Sequence, residues 1–273
     1  MLEKFKYINH KNEVLEFGSG SLFANENDLR DFEWSLISRS EKISGFKKGI
    51  AKKSIPLIIK CNSEDEGINL RNQIYEITEK DILAKKPGKI VIGDYYLRCY
   101  ITGITKSDYL ISKQYMTAEM NIQTDSDVWI NEKTILFRGA NADNGFLDFP
   151  YDMPFDYRSS LQSDSFNNPG FSPCDFRCII YGTVINPTIF INDHEYSVNV
   201  VVNKGEYLTI DSVNKTIYLK KINGEDVNCF NNRNKDSYIF QKVQPGGNLL
   251  KTSNEGMNFD LMLYNERSEP KWI

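Results

Sequence analysis

Only one stretch of this 273-residue chain, residues 63–84, carries a helical pattern. It opens on Ser63-Glu64-Asp65-Glu66, where a serine can cap the first turn, a glutamate follows three residues later, and acids sit against the positive end of the helix dipole. Ile68, Leu70, Ile74, Tyr75 and Ile77 follow at helical spacings, and Pro87-Gly88 ends the element. Elsewhere the chain reads as short β-prone runs broken by turn residues. The expected fold class is therefore mainly β, α+β overall: a β-rich N-terminal domain with one helix, and a C-terminal β-sandwich.

Before the helix, residues 4–17 read as a hairpin turning at Asn9-His10-Lys11-Asn12. Phe32 to Ile37 reads as a short strand with Phe32, Trp34 and Leu36 on one face, and Ile55 to Cys61 as another. Between these, residues 41–53 gather Lys42, Lys47, Lys48, Lys52 and Lys53 around Gly45 and Gly49. Two readings are open: a mobile basic loop that meets an acidic partner or a phosphate backbone, or a solvated turn between strands. A phosphate loop is excluded, because Ile50-Ala51 follows Gly49 where Lys-Ser/Thr would be required. After the helix, 89–92, 95–104 and 115–124 read as an antiparallel meander, closed by Asp125-Ser-Asp-Val-Trp-Ile130, whose two acids beside Trp129 could suggest a metal or sugar site but read first as a turn and a core anchor.

Phe146 to Tyr157 holds five aromatics and two prolines in twelve residues, so it suits neither a regular helix nor a central strand. It reads as a docked connector between two domains. The expected divisions are 1–138, a connector 139–172, and 173–273. Beyond the connector, strands are expected at 176–184, 187–192, 195–202, 206–211, 215–221 and 237–243, with a last one at 259–264. Turns fall at Asn186-Pro187, Asn192-Asp193, Lys204-Gly205, Asp211 to Asn214, Asn223-Gly224 and Pro245 to Asn248. That cadence fits a sandwich.

The inventory of reactive groups is thin. His10 and His194 are the two histidines, and both fall in expected turns. Cys174 and Cys178 lack a second pair at metal-ligand spacing. The five cysteines are expected as free thiols, and no metal, cofactor or catalytic set is assigned. Glu206 and Asp211 form a carboxylate pair of the kind glycosidases use, but hairpin acids ordinarily face solvent. Tyr151, Tyr157, Tyr181 and Tyr207 could form a sugar platform or simply pack. Through Gly145 the 21 basic and 21 acidic residues cancel; from Phe146 on, 12 stand against 16, so neither half has a nucleic-acid binder's basic excess. No apolar run is long enough to span a membrane, and Met1 to Glu16 lacks a signal-peptide core, so the chain reads as made in the cytosol.

Certain residues recur in a recognisable order. They are Asn12-Glu-Val-Leu-Glu-Phe17, Trp34, Pro87-Gly-Lys-Ile90, Gly93-Asp-Tyr-Tyr-Leu97, and Met116 to Gln123 running into Asp125-Ser-Asp-Val-Trp-Ile130. In the second half come Asn186-Pro-Thr-Ile189, Lys204-Gly-Glu-Tyr-Leu-Thr-Ile-Asp211, Lys215-Thr-Ile217 and Pro245-Gly-Gly-Asn248. In this order and spacing the sequence resembles, over nearly its whole length, the distal tail (Dit) proteins of long-tailed phages infecting Gram-positive bacteria, and their relatives in phage-tail-like particles.

The resemblance implies a structural protein of the virion, not an enzyme. Its N-terminal domain would form a homohexameric ring between the major tail tube protein and a tail-associated hub or tip protein, with DNA passing through the channel in transit. Its C-terminal domain would be a galectin-like sandwich projecting outward to carry receptor-binding proteins. Galectin's sugar-binding set of His, Arg and Trp is not carried over, because Trp272 is the only tryptophan after the connector. On this reading Lys47, Lys48, Lys52 and Lys53 are a candidate assembly-interface loop reaching a neighbouring protomer or the tube. The alternative is a monomeric carbohydrate-binding sandwich adhesin.

Overall fold

The computed structural model describes residues 4–110, 112–139, 164–254 and 256–272. The aromatic stretch Phe146–Tyr157, with Tyr151 and Tyr157, lies outside the described residues. The chain divides into two compact units, Met1–Asn131 with Glu266–Ile273, and Glu132–Asn265. These boundaries differ from the expected ones at both ends. Residues 266–272 belong with the first unit, where the Arg30 guanidinium donates to the Pro270 carbonyl at 2.9 Å and lies 3.9 Å over the Trp272 ring. Residues 164–168, expected within the connector, are a strand of the second unit, because Phe166 sits in that unit's core.

In chain order the first unit contains β1 (Phe5–Ile8), β2 (Val14–Phe17), β3 (Leu22–Ala24), β4 (Ser35–Arg39), β5 (Lys42–Lys47), β6 (Ala51–Lys60), α1 (Glu64–Ala84), β7 (Gly88–Ile92), β8 (Tyr95–Ser107), β9 (Tyr115–Thr124) and the start of β10 (Trp129–Phe137). Antiparallel pairing gives the orders β2-β1-β7-β8 and β3-β6-β9-β8. The long β8 serves both: Tyr95–Cys99 pairs with β7, and Tyr100–Ser107 pairs with β9 across a register shift between Ile101 and Gly103. A bulge at that point bends the strand and lets it take part in two sheet halves. Alternate residues point inward, so Tyr7, Phe17, Ile55, Leu97, Met120, Ile122 and Trp129 are fully buried in one core.

The helix is built as its sequence prescribes. Ser63 accepts from the Glu66 amide at 3.2 Å, and Glu66 reaches back to the Asn62 amide at 2.9 Å. Lys85, in the left-handed region, closes the other end. Gly67 allows the first turn to lie against the Lys113 carbonyl, which a Cβ there would approach to 2.0 Å. Near the C-terminal end Asp81, fully buried, accepts from the Tyr7 hydroxyl and from the His10 amide at 2.9 Å, with His10 Nδ1 at 2.5 Å. This pins β1 to α1. Burial, and then the Asp81 carboxylate, push the Tyr7 hydroxyl far up from its ordinary pKa.

The second unit adds β11 (Asp164–Asn168), β12 (Asp175–Tyr181), β13 (Val184–Ile185), β14 (Thr188–Ile191), β15 (His194–Ser197), β16 (Val201–Val202), β17 (Tyr207–Asp211), β18 (Thr216–Lys220), β19 (Asp226–Asn228), β20 (Gly246–Thr252) and β21 (Asn258–Arg267), whose last two residues fall in the first unit. One antiparallel sheet runs β19-β18-β17-β12-β21 and the other β11-β20-β14-β15, with β13 and β16 paired separately. Phe176, Cys178 and Ile180 alternate inward from the first sheet, and Ile189, Ile191, Tyr196 and Leu250 from the second, into one shared core. This is a β-sandwich.

Residues 237–243, expected as a strand, have no strand pairing beyond a single bridge at Val243. Ile239, Phe240 and Val243 are nonetheless buried, so their apolar character marks core filling. Conversely, Pro245 to Asn248 holds a turn residue at Gly246, φ +82°, but leads straight into β20.

Candidate assembly surface

The basic region 41–53 is not a loop. β4 and β5 form a two-stranded hairpin, pairing Ser35 with Lys47, Leu36 with Phe46 and, past a bulge, Arg39 with Lys42. Its tip residues Ser40 and Glu41 both have positive φ, 49° and 60°, as a two-residue turn with the twist of paired strands requires. The structure then separates the four candidate lysines. Lys47 on β5 and Lys52 on β6 are exposed. Lys48 bends inward, donating to the Asp127 carbonyl at 2.6 Å and lying 5.3 Å over Phe32 and 5.2 Å over Trp34. Partial burial pulls its pKa below the ordinary lysine value, against the opposing pull of Asp127.

Lys53 is buried. Its ammonium pairs with Asp127 at 3.1 Å and donates to the carbonyls of Asp31 at 2.5 Å and Asp28 at 3.3 Å. The Asp28 carboxylate in turn accepts from the Ser54 amide at 2.8 Å. Lys53 thus fastens residues 28–31 and 127 within its own unit, and it cannot also present its charge to another molecule. The signal was in the sequence: Ile55, Leu57 and Ile59 face inward, and the same two-residue period places Lys53 on that side.

The residues the sequence reading missed are apolar. Every residue of β4 is exposed and all of β5 except half-buried Gly45. Leu36, Ile43 and Phe46 leave 58–61 % of their surface in solvent, and Ile50 leaves 78 %. Phe32 and Trp34, expected on one face of a strand, precede β4 and are about half exposed. Exposed apolar side chains on such a ribbon make it a candidate interaction surface, since a lone two-stranded hairpin has no core of its own.

A second apolar feature lies in the same unit. Between α1 and strands β6, β8 and β9 runs a groove of about 310 Å³, lined by Ile74, Tyr75, Ile82, Ile101, Ile104 and Met116 among others, with Glu79 at the helix side and Lys106 at the sheet side. On α1 the residues Ile68, Tyr75 and Ile82, spaced by sevens, remain partly or largely exposed.

The other candidate groups are engaged in holding the fold. Glu206 accepts from the Asn203 amide at 3.0 Å and pairs with Lys221 at 3.2 Å. Asp211 pairs with Arg177 at 2.9 Å and accepts from the Asn214 amide at 2.9 Å. Burial would raise the Asp211 pKa, but the Asn214 amide and Arg177 override it and hold the carboxyl below its usual range. Tyr181 donates to Asp260 at 2.6 Å, and its ring centroid is 6.4 Å from that of Tyr207. His194 contacts the Tyr238 carbonyl at 2.9 Å. All five cysteines are buried free thiols. Among the described residues no cluster of His, Cys, Asp or Glu has a metal-binding arrangement, and no helix is long and apolar enough to cross a membrane.

No family model matches the sequence, and no curated protein matches it. Solved structures do resemble the fold. The SPP1 Dit protein, a hub of the adsorption apparatus in phages infecting Gram-positive bacteria, aligns with a TM-score of 0.60 at 11 % identity, covering 96 % of this chain and 99 % of that one. A chain of the phage P2 baseplate in its activated conformation with calcium aligns with a TM-score of 0.63 at 14 % identity, covering 99 % and 100 %. The same baseplate with strontium gives 0.61 at 12 %, covering 98 % and 99 %. The chain therefore has the fold of these phage hub and baseplate proteins across both units.

Proposed function

We propose that this chain is a distal tail protein, a non-enzymatic structural component of the virion at the far end of a phage tail or tail-like particle. Six copies form a ring through the first unit, joining the major tail tube protein above to a hub or tip protein below, and DNA passes through the channel. The second unit, a galectin-like sandwich, faces outward and carries receptor-binding or other baseplate proteins.

The observation that supports this reading is the likeness of the whole chain, both units in sequence order, to phage hub proteins. The exposed apolar hairpin fits it, because such a surface needs a partner. Of the four lysines, Lys47 and Lys52 remain as interface candidates, while Lys48 and Lys53 serve their own unit.

Light scattering over a concentration series tests the proposal. A species of six protomers, or an equilibrium between three and six, is expected. A protein that stays monomeric at every concentration and does not co-sediment with tail-tube protein would overturn it and favour the adhesin.

A further inference from the structure

We propose that the outward face of the β2-β1-β7-β8 sheet is a sequence-independent contact surface for the DNA backbone. This rests on the assembly reading above, in which DNA passes through the ring, and names the face that the DNA touches.

Through Gly145 the basic and acidic residues cancel in number, but the fold sorts them. The helix α1 carries six acids and two bases. The sheet does the reverse. Alternation turns Phe5, Tyr7, Ile90, Leu97 and Cys99 into the core and leaves Lys6, Lys89 and Arg98 on the outer face. Glu16 on β2, opposite Lys6, is the one acid these strands add to that face, and Asp94 lies beyond it in the β7–β8 turn. None of the three cations has an ion-pair partner among the described residues.

Two of them are set against each other. Lys89 and Arg98 are direct cross-strand partners, and each lies over the same Tyr96 ring, at 5.3 and 5.9 Å. Like charges opposite one another across a strand pair destabilise the sheet. The ring offsets part of that repulsion, and an anion laid across both cations relieves the rest.

Shape selects the anion. Four strands at a spacing of about 4.8 Å span about 14 Å between their outer axes, more than the roughly 12 Å of the major groove. The face is therefore too broad to enter a groove and read bases, and it meets phosphates alone. Such contacts are indifferent to sequence and yield to salt, which suits a duplex that slides past. The acidic helix repels the same polyanion, so the sheet and not α1 is the side that DNA approaches.

Fluorescence anisotropy of the full chain with two labelled duplexes of unrelated sequence tests this. Both duplexes should bind alike. Three phosphate contacts from one copy give a slope of about −2.7 in log affinity against log salt, so binding should weaken roughly fortyfold between about 50 and about 200 mM, and more steeply if several copies engage one duplex. Lys6→Gln, Lys89→Gln and Arg98→Gln should each lower the slope by about 0.9 per copy engaged, and the triple variant should not bind. Lys204→Gln, at an exposed lysine of the second unit, should bind as the unmodified protein does. Lys89→Gln should melt no lower than the unmodified protein, because one of two opposed like charges is gone; that separates lost binding from lost folding.

Binding to neither duplex in low salt, binding retained by the triple variant, or an equal loss in Lys204→Gln would overturn the proposal. A multimer by light scattering in any of those cases leaves the ring standing. Salt-dependent binding through this face by a protein that stays monomeric would keep the face and remove the ring.

Discussion

Replacing Lys53 by methionine keeps the length of a buried side chain and removes its charge. Asp127, itself only 5 % exposed, then loses the cation at 3.1 Å, and the carbonyls of Asp28 and Asp31 lose a donor. Removing one member of a buried ion pair costs about 3–5 kcal/mol, because the surviving charge stays desolvated. Lys48 is held beside Asp127 and offsets part of this, which places the expected cost near the lower end. With a urea slope of about 2 kcal/mol/M, the unfolding midpoint should fall by roughly 1.5 M. Lys47→Ser and Lys52→Ser, on exposed sites, should stay within about 0.5 kcal/mol. All three tryptophans (34, 129 and 272) belong to the first unit, so tryptophan fluorescence reports its unfolding separately from the sandwich. The double change Lys53→Met with Asp127→Leu should recover much of the loss, since neither charge is then buried alone. If Lys53→Met shifts the midpoint no more than Lys52→Ser does, the inward placement of Lys53 is wrong, and the lysine returns to the list of interface candidates.

Other measurements follow from the same packing. Gly88→Ala would bring a Cβ to 2.4 Å from the Tyr7 hydroxyl and 2.5 Å from the Asp81 carboxylate, both buried; thermal melting should drop by many degrees, and an unchanged melt would mean that this junction is loose. Asp211 has its folded-state pKa lowered, so its stabilising effect is complete above the unfolded carboxylate pKa of about 4 and is lost as pH falls below that through the folded value. Asp211→Asn should therefore weaken the sandwich at neutral pH and flatten its loss of stability in acid, measured by circular dichroism melts. The five thiols should resist a thiol reagent in the native protein and all react in urea; burial pushes Cys99 up to about 12, so a fast native phase would contradict its packing.

How much of this was legible depended on whether the cause was local. The helix was readable because Ser63, the acids of its first turn and Pro87-Gly88 act within a few residues of their own backbone. The β14–β15 hairpin was readable for a similar reason: Asn192 and Asp193 both take positive φ, the residues a tight turn favours. The β4–β5 turn escaped because Ser40 and Glu41 adopt the same geometry without that signature. β20 escaped because Gly246-Gly247 spells a turn, and its strand character comes from distant partners: Asn168 and Asn167 of β11 opposite the two glycines, and β14 opposite residues 250–252. The candidate surface was hardest. Composition assigns apolar residues to a core, and nothing local says that Leu36 and Phe46 face away from one.

The return of residues 266–272 to the first unit makes the sandwich an insertion and not an appendage. The chain leaves the first unit after Asn131 and comes back at Glu266, and Arg30 grips the returning end through Pro270, Glu269 and Trp272. Everything from 132 to 265 is thus a cassette spliced into a host that completes itself afterwards. A replacement cassette with ends that fit the same two joints would leave the buried residues of the host core untouched.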